Sequence, residues 1–116
     1  MKQDQYLKGL ADGAMEYWET RLDIGRYKNT IHVYLIEVPE SMRGRGVARL
    51  LMNKLCAYAD KQHCIVTLHP TAGYGSDYIR LTKFYQSLGF VFNRDNNYRA
   101  DICEIMYRES RINGKI

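Results

Sequence analysis

Arg43-Gly44-Arg45-Gly46-Val47-Ala48 stands between an apolar, strand-like run and an amphipathic helix. Two arginines therefore sit where the positive end of the helix dipole falls. That end favours Asp or Glu, and a like charge there costs roughly 0.3–1 kcal/mol. Arg49 follows one turn on, and no acid lies between them. The pattern makes sense if an anion docks there, because free backbone N–H groups, the dipole and guanidinium groups then converge on one negative charge. Glycines at Gly44 and Gly46 clear the approach.

Working outward, Ile31-His32-Val33-Tyr34-Leu35-Ile36-Glu37-Val38 reads as a strand with apolar residues on both faces, as in a central strand covered on both sides. Pro39 ends its pairing because it lacks an N–H. Helix is predicted from about Gly46 to Gln62, with Val47, Leu50, Leu51, Lys54, Leu55 and Tyr58 on its inner face. Ile65-Val66-Thr67-Leu68-His69 reads as a second buried strand. Strand, helix and strand form a βαβ-like unit, which implies parallel pairing.

Beyond it, Thr71–Ser76 reads as a glycine-bearing loop in which Ser76 can cap a helix over about Asp77–Leu88. Leu81, Phe84, Tyr85 and Leu88 form that helix's inner face. Phe90-Val91-Phe92 starts a strand, Asp95-Asn96-Asn97 turns, and Ile102–Tyr107 is predicted to pair back antiparallel. Two further strands are predicted, near Gln5–Leu10 and Ala14–Asp23, separated by a turn at Ala11-Asp12-Gly13. An N-terminal helix is the rival reading, since Leu7, Ala11, Met15, Trp18 and Leu22 recur at helical spacing.

The length, 116 residues, predicts one domain spanning 1–116 with a core that needs no metal or disulfide. A net charge of +4 favours an anionic ligand or acidic partner but is too small to imply nucleic acid. Cys56, Cys64 and Cys103 are an odd number with no paired spacing, which predicts reduced thiols and a cytoplasmic location. No apolar run is long enough to cross a membrane, and the polar start Met1-Lys2-Gln3-Asp4-Gln5 lacks a signal-peptide core. His32, His63 and His69 share no metal-ligand spacing, so no metal site is expected.

This order of elements resembles the GNAT N-acetyltransferase superfamily. Its signature, Gln or Arg followed by two residues, Gly, one residue and Gly or Ala, matches Arg43-Gly44-Arg45-Gly46-Val47-Ala48. A second family segment, an aromatic pair followed by Leu-Gly-Phe, matches Phe84-Tyr85-Gln86-Ser87-Leu88-Gly89-Phe90. The resemblance spans about Ile31 to Tyr107. It implies an α/β fold with a mixed, mostly antiparallel sheet, splayed between two strands and flanked by helices. It also implies acetyl-coenzyme A as cofactor, with Arg43, Gly44, Arg45, Gly46, Val47 and Ala48 around the pyrophosphate and Ile36 and Val38 aligning the pantetheine. Acetyl then passes to a primary amine, on a small molecule or a protein lysine, by direct attack. In the family Tyr85 corresponds to the tyrosine that protonates the departing thiolate, and Glu37 stands where many members carry the base. The chain is shorter than is usual for the family, chiefly in the N-terminal part that shapes the acceptor pocket. His69-Pro70 also replaces an asparagine often found near the second strand's end.

Each feature also has a plainer reading. Tyr85 can be a packed core tyrosine, Glu37 a structural carboxylate, and the Arg-Gly loop a basic turn. No Gly-Lys-Ser/Thr follows it, so it is not a Walker loop, and it lacks a dinucleotide fingerprint's third glycine. Cys56 and Cys64 read as small apolar fillers, while Tyr74, Asp77 and His69 can contact an acceptor. The competing function is a catalytically inactive module of the same fold, docking on a protein or nucleic acid. Nucleic acid and membrane are not expected partners, and a homodimer stays open.

Overall fold

The computed structural model describes residues 4–70 and 77–111. In chain order the elements are α1 (Gln5–Trp18), β1 (Arg21–Tyr27), β2 (Thr30–Glu37), α2 (Val47–Gln62), β3 (Ile65–Leu68), α3 (Tyr78–Ser87), β4 (Val91–Phe92) and β5 (Met106–Arg108). Short 3-10 turns occupy Glu40–Met42 and Asp95–Asn97. The strands form one sheet in the order β1-β2-β3-β5-β4. Of its pairs, β2 with β3 is parallel and the others antiparallel. This is the mixed, mostly antiparallel α/β architecture read from the sequence, with the parallel pair arising from the predicted strand–helix–strand unit.

Alternation along the strands builds the core. Ile31 and Val33 of β2 lie beside Val66 and Leu68 of β3, and Met106 of β5 continues the row. α1, α2 and α3 each contribute to the same cluster, through Leu7, Met52, Leu55, Cys56 and Tyr85. The opposite sheet face carries His32 and Thr67, joined across the strands by a 2.8 Å hydrogen bond. It is only partly covered. Tyr34 stays 69% exposed, so β2 is not buried on both faces as its apolar content suggested.

The N-terminal segment departs from the favoured reading. A helix replaces the strand near Gln5–Leu10 and the turn at Ala11–Gly13, and β1 begins only at Arg21, near the end of the second expected strand. Asp4 caps α1 by accepting from the Leu7 amide at 3.1 Å. Leu7 and Ala14, two turns apart, are buried. Two glycines within the helix cost about 1 kcal/mol each, and this cap and buried stripe offset them. Glu19 takes a left-handed φ of 49° and ends the helix.

Three smaller differences follow from packing. In α2 the buried face is Val47, Leu51, Met52, Leu55, Cys56 and Ala59, so it is rotated from the expected one, and Leu50 and Lys54 are exposed. Asp77 caps α3, accepting from the Ile79 amide at 2.9 Å; Ser76 lies outside the described residues. The last strand is shorter than predicted, at Met106–Arg108. The Asn93 side chain binds the Arg99 amide and the Ile102 carbonyl, each at 2.7 Å, which holds this stretch as a wrapped loop.

Arg108 locks β5 to two helices. Its guanidinium donates to both Asp60 oxygens of α2, at 2.8 and 3.2 Å, and to the Leu88 carbonyl at the end of α3, at 2.8 Å. Burial pushes the Asp60 carboxyl up, but hydrogen bonds from Arg108 and the Arg111 amide outweigh it, so the carboxyl sits below its ordinary range. A depressed carboxyl stabilises the fold above its unfolded pKa and loses that contribution as pH falls through the folded one. Arg108→Ala is expected to lower the unfolding free energy by about 3 kcal/mol at neutral pH. Urea titrations from neutral to strongly acidic pH check this, since the difference from the unaltered protein should shrink as Asp60 protonates.

Candidate functional site

The parallel ladder between β2 and β3 runs from Thr30–Ile65 to Val33–Leu68 and stops. His69 and Pro70 follow β3, and proline has no N–H with which to continue a ladder. β2 nevertheless continues to Glu37, still paired with β1 on its other side. Its stretch from Tyr34 to Glu37 therefore presents a free edge toward the place β3 has left. The register with β1 also slips here: Asp23 faces Leu35 and Ile24 faces Val33, leaving Tyr34 as the extra residue of a bulge.

A cleft of about 640 Å³ opens along this edge. One side is β2 from Val33 to Glu37 with Val38, and the other is a helical stripe of Asp77, Arg80, Leu81, Phe84 and Tyr85. Met42, Arg43, Gly44, Gly46, Val47, Ala48 and Arg49 close one end. The sequence candidates Ile36, Glu37, Val38, Arg43, Gly44, Gly46, Val47, Ala48 and Tyr85 thus line one cavity. Arg45 is exposed and does not line it.

The closing loop is a set of unpaired donors. Gly46 occupies the N-cap of α2 without a side-chain cap, and the first turn holds no acid. The first amide with an acceptor is that of Leu50, which donates to the Gly46 carbonyl at 3.0 Å. From Gly44 through Arg49 no amide has an acceptor among the described residues. The φ angles of Gly44 and Gly46, 79° and 77°, create this shape. A Cβ at either position meets nothing within 4 Å, so glycine is needed for backbone conformation, not for space. Arg43 has a second role, because its Nε donates to the Val38 carbonyl at 3.0 Å and ties the loop to the end of β2. Arg49 lies over the Phe84 ring and donates to the Ser87 hydroxyl at 3.2 Å, joining α2 to α3.

Tyr85 is 5% exposed, its ring held by Phe84 and Phe90 at centroid distances of 5.3 and 5.7 Å. Its hydroxyl has no hydrogen-bond partner among the described residues. No fully buried side-chain polar atom lacks a partner there either, so this hydroxyl opens on the cleft. Burial raises its pKa to about 12. Glu37 is half-buried at the end of β2. His69 also lines the cleft, with Nδ1 accepting from the Ile105 amide at 3.4 Å. Of the predicted acceptor contacts, Asp77 and His69 reach the cleft and Tyr74 lies outside the described residues.

Arg80 and Leu81 were missed as lining residues, although their spacing from Asp77, Phe84 and Tyr85 puts all of them on one helical face. Among the described residues no group of His, Cys, Asp and Glu could hold a metal ion. Nor is any helix long and apolar enough to cross a membrane.

The model of the acetyltransferase (GNAT) family matches residues 2–90. No curated protein matches the chain. Among solved structures it is similar to Ard1 from Thermoplasma volcanium, with 24% identity, a TM-score of 0.58, and coverage of 79% of this chain and 63% of that one. It is similar to the ribosomal-protein-S18-alanine N-acetyltransferase of Escherichia coli, with 20% identity, a TM-score of 0.61, and coverage of 84% and 65%. It is also similar to Arabidopsis thaliana Naa50 in complex with the bisubstrate analogue CoA-Ac-MVNAL, with 21% identity, a TM-score of 0.52, and coverage of 78% and 62%. The chain thus spans somewhat under two thirds of each of these proteins, and at such identity the likeness shows the fold.

Gly46→Ala tests the cradle's backbone. A left-handed φ at a non-glycine residue costs about 1–2 kcal/mol, and no neighbour blocks the methyl group. Thermal melting should show a loss of that size, whereas Gly9→Ala within α1, where a Cβ also meets nothing, should cost nothing or stabilise.

Proposed function

Since the chain belongs to the GNAT acetyltransferase family, as the match over residues 2–90 shows, we propose that it transfers acetyl from acetyl-coenzyme A to a primary amine of a polypeptide by direct attack. The observation that carries this reading is the row of acceptor-less amides from Gly44 to Arg49 at the closed end of the cleft. Such a row at a helix N-terminus fits a diphosphate. The free edge of β2 fits an amide-bearing arm, which can pair with it as a strand does. A nucleotide thioester that carries both groups fits the residues present.

In this reading Gly44 to Arg49 and the Arg43 guanidinium hold the diphosphate, and main-chain groups of Ile36 and Val38 align the arm. When bound, acetyl-coenzyme A supplies an acyl group on a leaving sulfur. Glu37 takes the proton that the neutral amine sheds as it attacks the carbonyl. Tyr85 offers its hydroxyl hydrogen to the departing sulfur. Its raised pKa limits this role. Full transfer from a phenol near 12 to a thiolate whose conjugate acid is near 8.5 is uphill by about 5 kcal/mol. Tyr85 therefore acts as a hydrogen-bond donor to developing charge, and solvent completes the protonation.

The polypeptide acceptor is supported by the neighbours that act on, or are complexed with mimics of, protein substrates, the S18-alanine enzyme and the Naa50 complex. An α-amine, with a pKa of about 7.7–8.0, is about 10% neutral or more at pH 7, whereas a lysine is neutral to only about 0.04%.

Incubation with acetyl-coenzyme A and peptides bearing either a free α-amine or a lysine, followed by thiol release and intact mass, tests the reading. Tyr85→Phe should lower kcat about 10- to 100-fold with little change in KM, the loss of one hydrogen bond to a charged group. Arg43→Ala should raise the KM for acetyl-coenzyme A about tenfold. Tight coenzyme A binding without turnover on either kind of amine would contradict the transferase reading and favour a non-catalytic module. A lysine acceptor should show rates rising about tenfold per pH unit across pH 7–9, and an α-amine a plateau near pH 8.

A further inference from the structure

β1 is the outer strand of the sheet. It pairs with β2 over Arg21–Tyr27 and with no other strand among the described residues. An unpaired edge leaves the N–H and C=O of alternate residues pointing outward. A groove of about 450 Å³ follows this edge. Its floor is the consecutive run Leu22–Arg26, which marks it as an edge and not a face. α1 supplies one wall, with Leu7 and Ala11. Tyr34 supplies the other, its ring within 3.4 Å of where a Cβ on Gly25 would stand.

The charges around this groove are already matched. Lys8 pairs with Asp12 at 2.8 Å, Arg26 with Asp4 at 3.2 Å, and Asp23 with Arg21 at 3.3 Å. Such a lining offers little to a phosphate polymer or an anionic surface. What it does offer is main-chain donors and acceptors between apolar and aromatic walls, and an extended polypeptide has the complementary groups. β1 spans seven residues, about 20 Å at about 3.3 Å each. Tyr34 lines both this groove and the transfer cleft. Arg21, at the start of β1, stands in register with Glu37.

We infer that the free edge of β1 docks an extended segment of the acceptor polypeptide as an additional strand, and so leads its amine past Tyr34 into the cleft. The inference rests on the transferase reading above. A strand added beyond β1 lies about 10 Å from β2, a span that about three extended residues cross.

The test uses the peptide Ala-Thr-Lys-Val-Thr-Val-Thr with a free N-terminus, two twins N-methylated on one or the other alternating set of residues, and n-butylamine as a side-chain-sized acceptor. N-methylation removes main-chain donors and leaves the protein unaltered. One twin should show a KM raised about tenfold with kcat unchanged. The parent peptide should slow hydrogen exchange of the Arg21–Tyr27 amides by a similar factor. Equal KM values for parent and both twins, with unchanged exchange in β1, would overturn the docking. So would β1 protection that rises with protein concentration in the absence of peptide, because a second copy would then hold the edge. If neither butylamine nor any peptide is acetylated, the transferase reading fails, and exchange in β1 alone decides whether the edge docks a peptide.

Discussion

The parallel ladder between β2 and β3 ends at Val33 and Leu68, while β2 continues to Glu37. A sheet keeps its strands at about 4.8 Å only while both can exchange hydrogen bonds, and Pro70 removes the donor that would extend β3. The parting of these strands exposes the edge of β2. It also lets α3 form the facing wall and brings the hydroxyl of Tyr85, otherwise a core residue, to the cavity. Had β3 followed β2 to its end, Ile36 and Val38 would face a neighbouring strand and the cleft would not exist.

At the cleft's closed end, charge and backbone geometry act together. A helix start normally meets its unpaired amides with a side-chain oxygen or an acid. α2 has neither. Gly44 and Gly46 both take left-handed φ angles, and Arg43 fixes the loop by bonding to the Val38 carbonyl. The loop is thus anchored to the strand whose edge lines the same cavity, so the donors and that edge keep a set relation. Arg49, held by Phe84 and Ser87, gives α2 and α3 a similar tie.

Much of this was legible in the residues themselves. The run Ile31–Val38 closed by Pro39, the uncapped basic start of α2 and the helix over 77–88 each combine periodicity with a start or stop signal, and all three elements formed close to those bounds, although β2 is covered on both faces only in part. The N-terminal segment misled because Ala11-Asp12-Gly13 has turn chemistry, while the winning interactions are tertiary: Leu7 and Ala14 pack into the core, and Asp4 caps the helix and binds Arg26 and Tyr58. The rotation of the buried face in α2 has a similar cause. Met52, Cys56 and Ala59 point at the sheet, and Leu50 is left outside by geometry that periodicity alone does not resolve. Within the site, Arg43, Gly44 and Gly46 were identifiable from local chemistry. Arg45 was included by its place in the motif; it is exposed and is not among the residues that line the cavity. The raised pKa of Tyr85 could not be read from sequence, since it comes from burial against Phe84 and Phe90.

In the proposed reading the amides opening α2 receive the diphosphate of a nucleotide thioester. An amide NMR titration with coenzyme A, compared with one using pantetheine, which lacks the diphosphate, addresses it directly. Coenzyme A should move the amide signals of Gly44 to Arg49 more than any others, and pantetheine should leave those signals in place while shifting Ile36 and Val38. Movement of the Gly44–Arg49 signals by both ligands alike, or by neither, would contradict it.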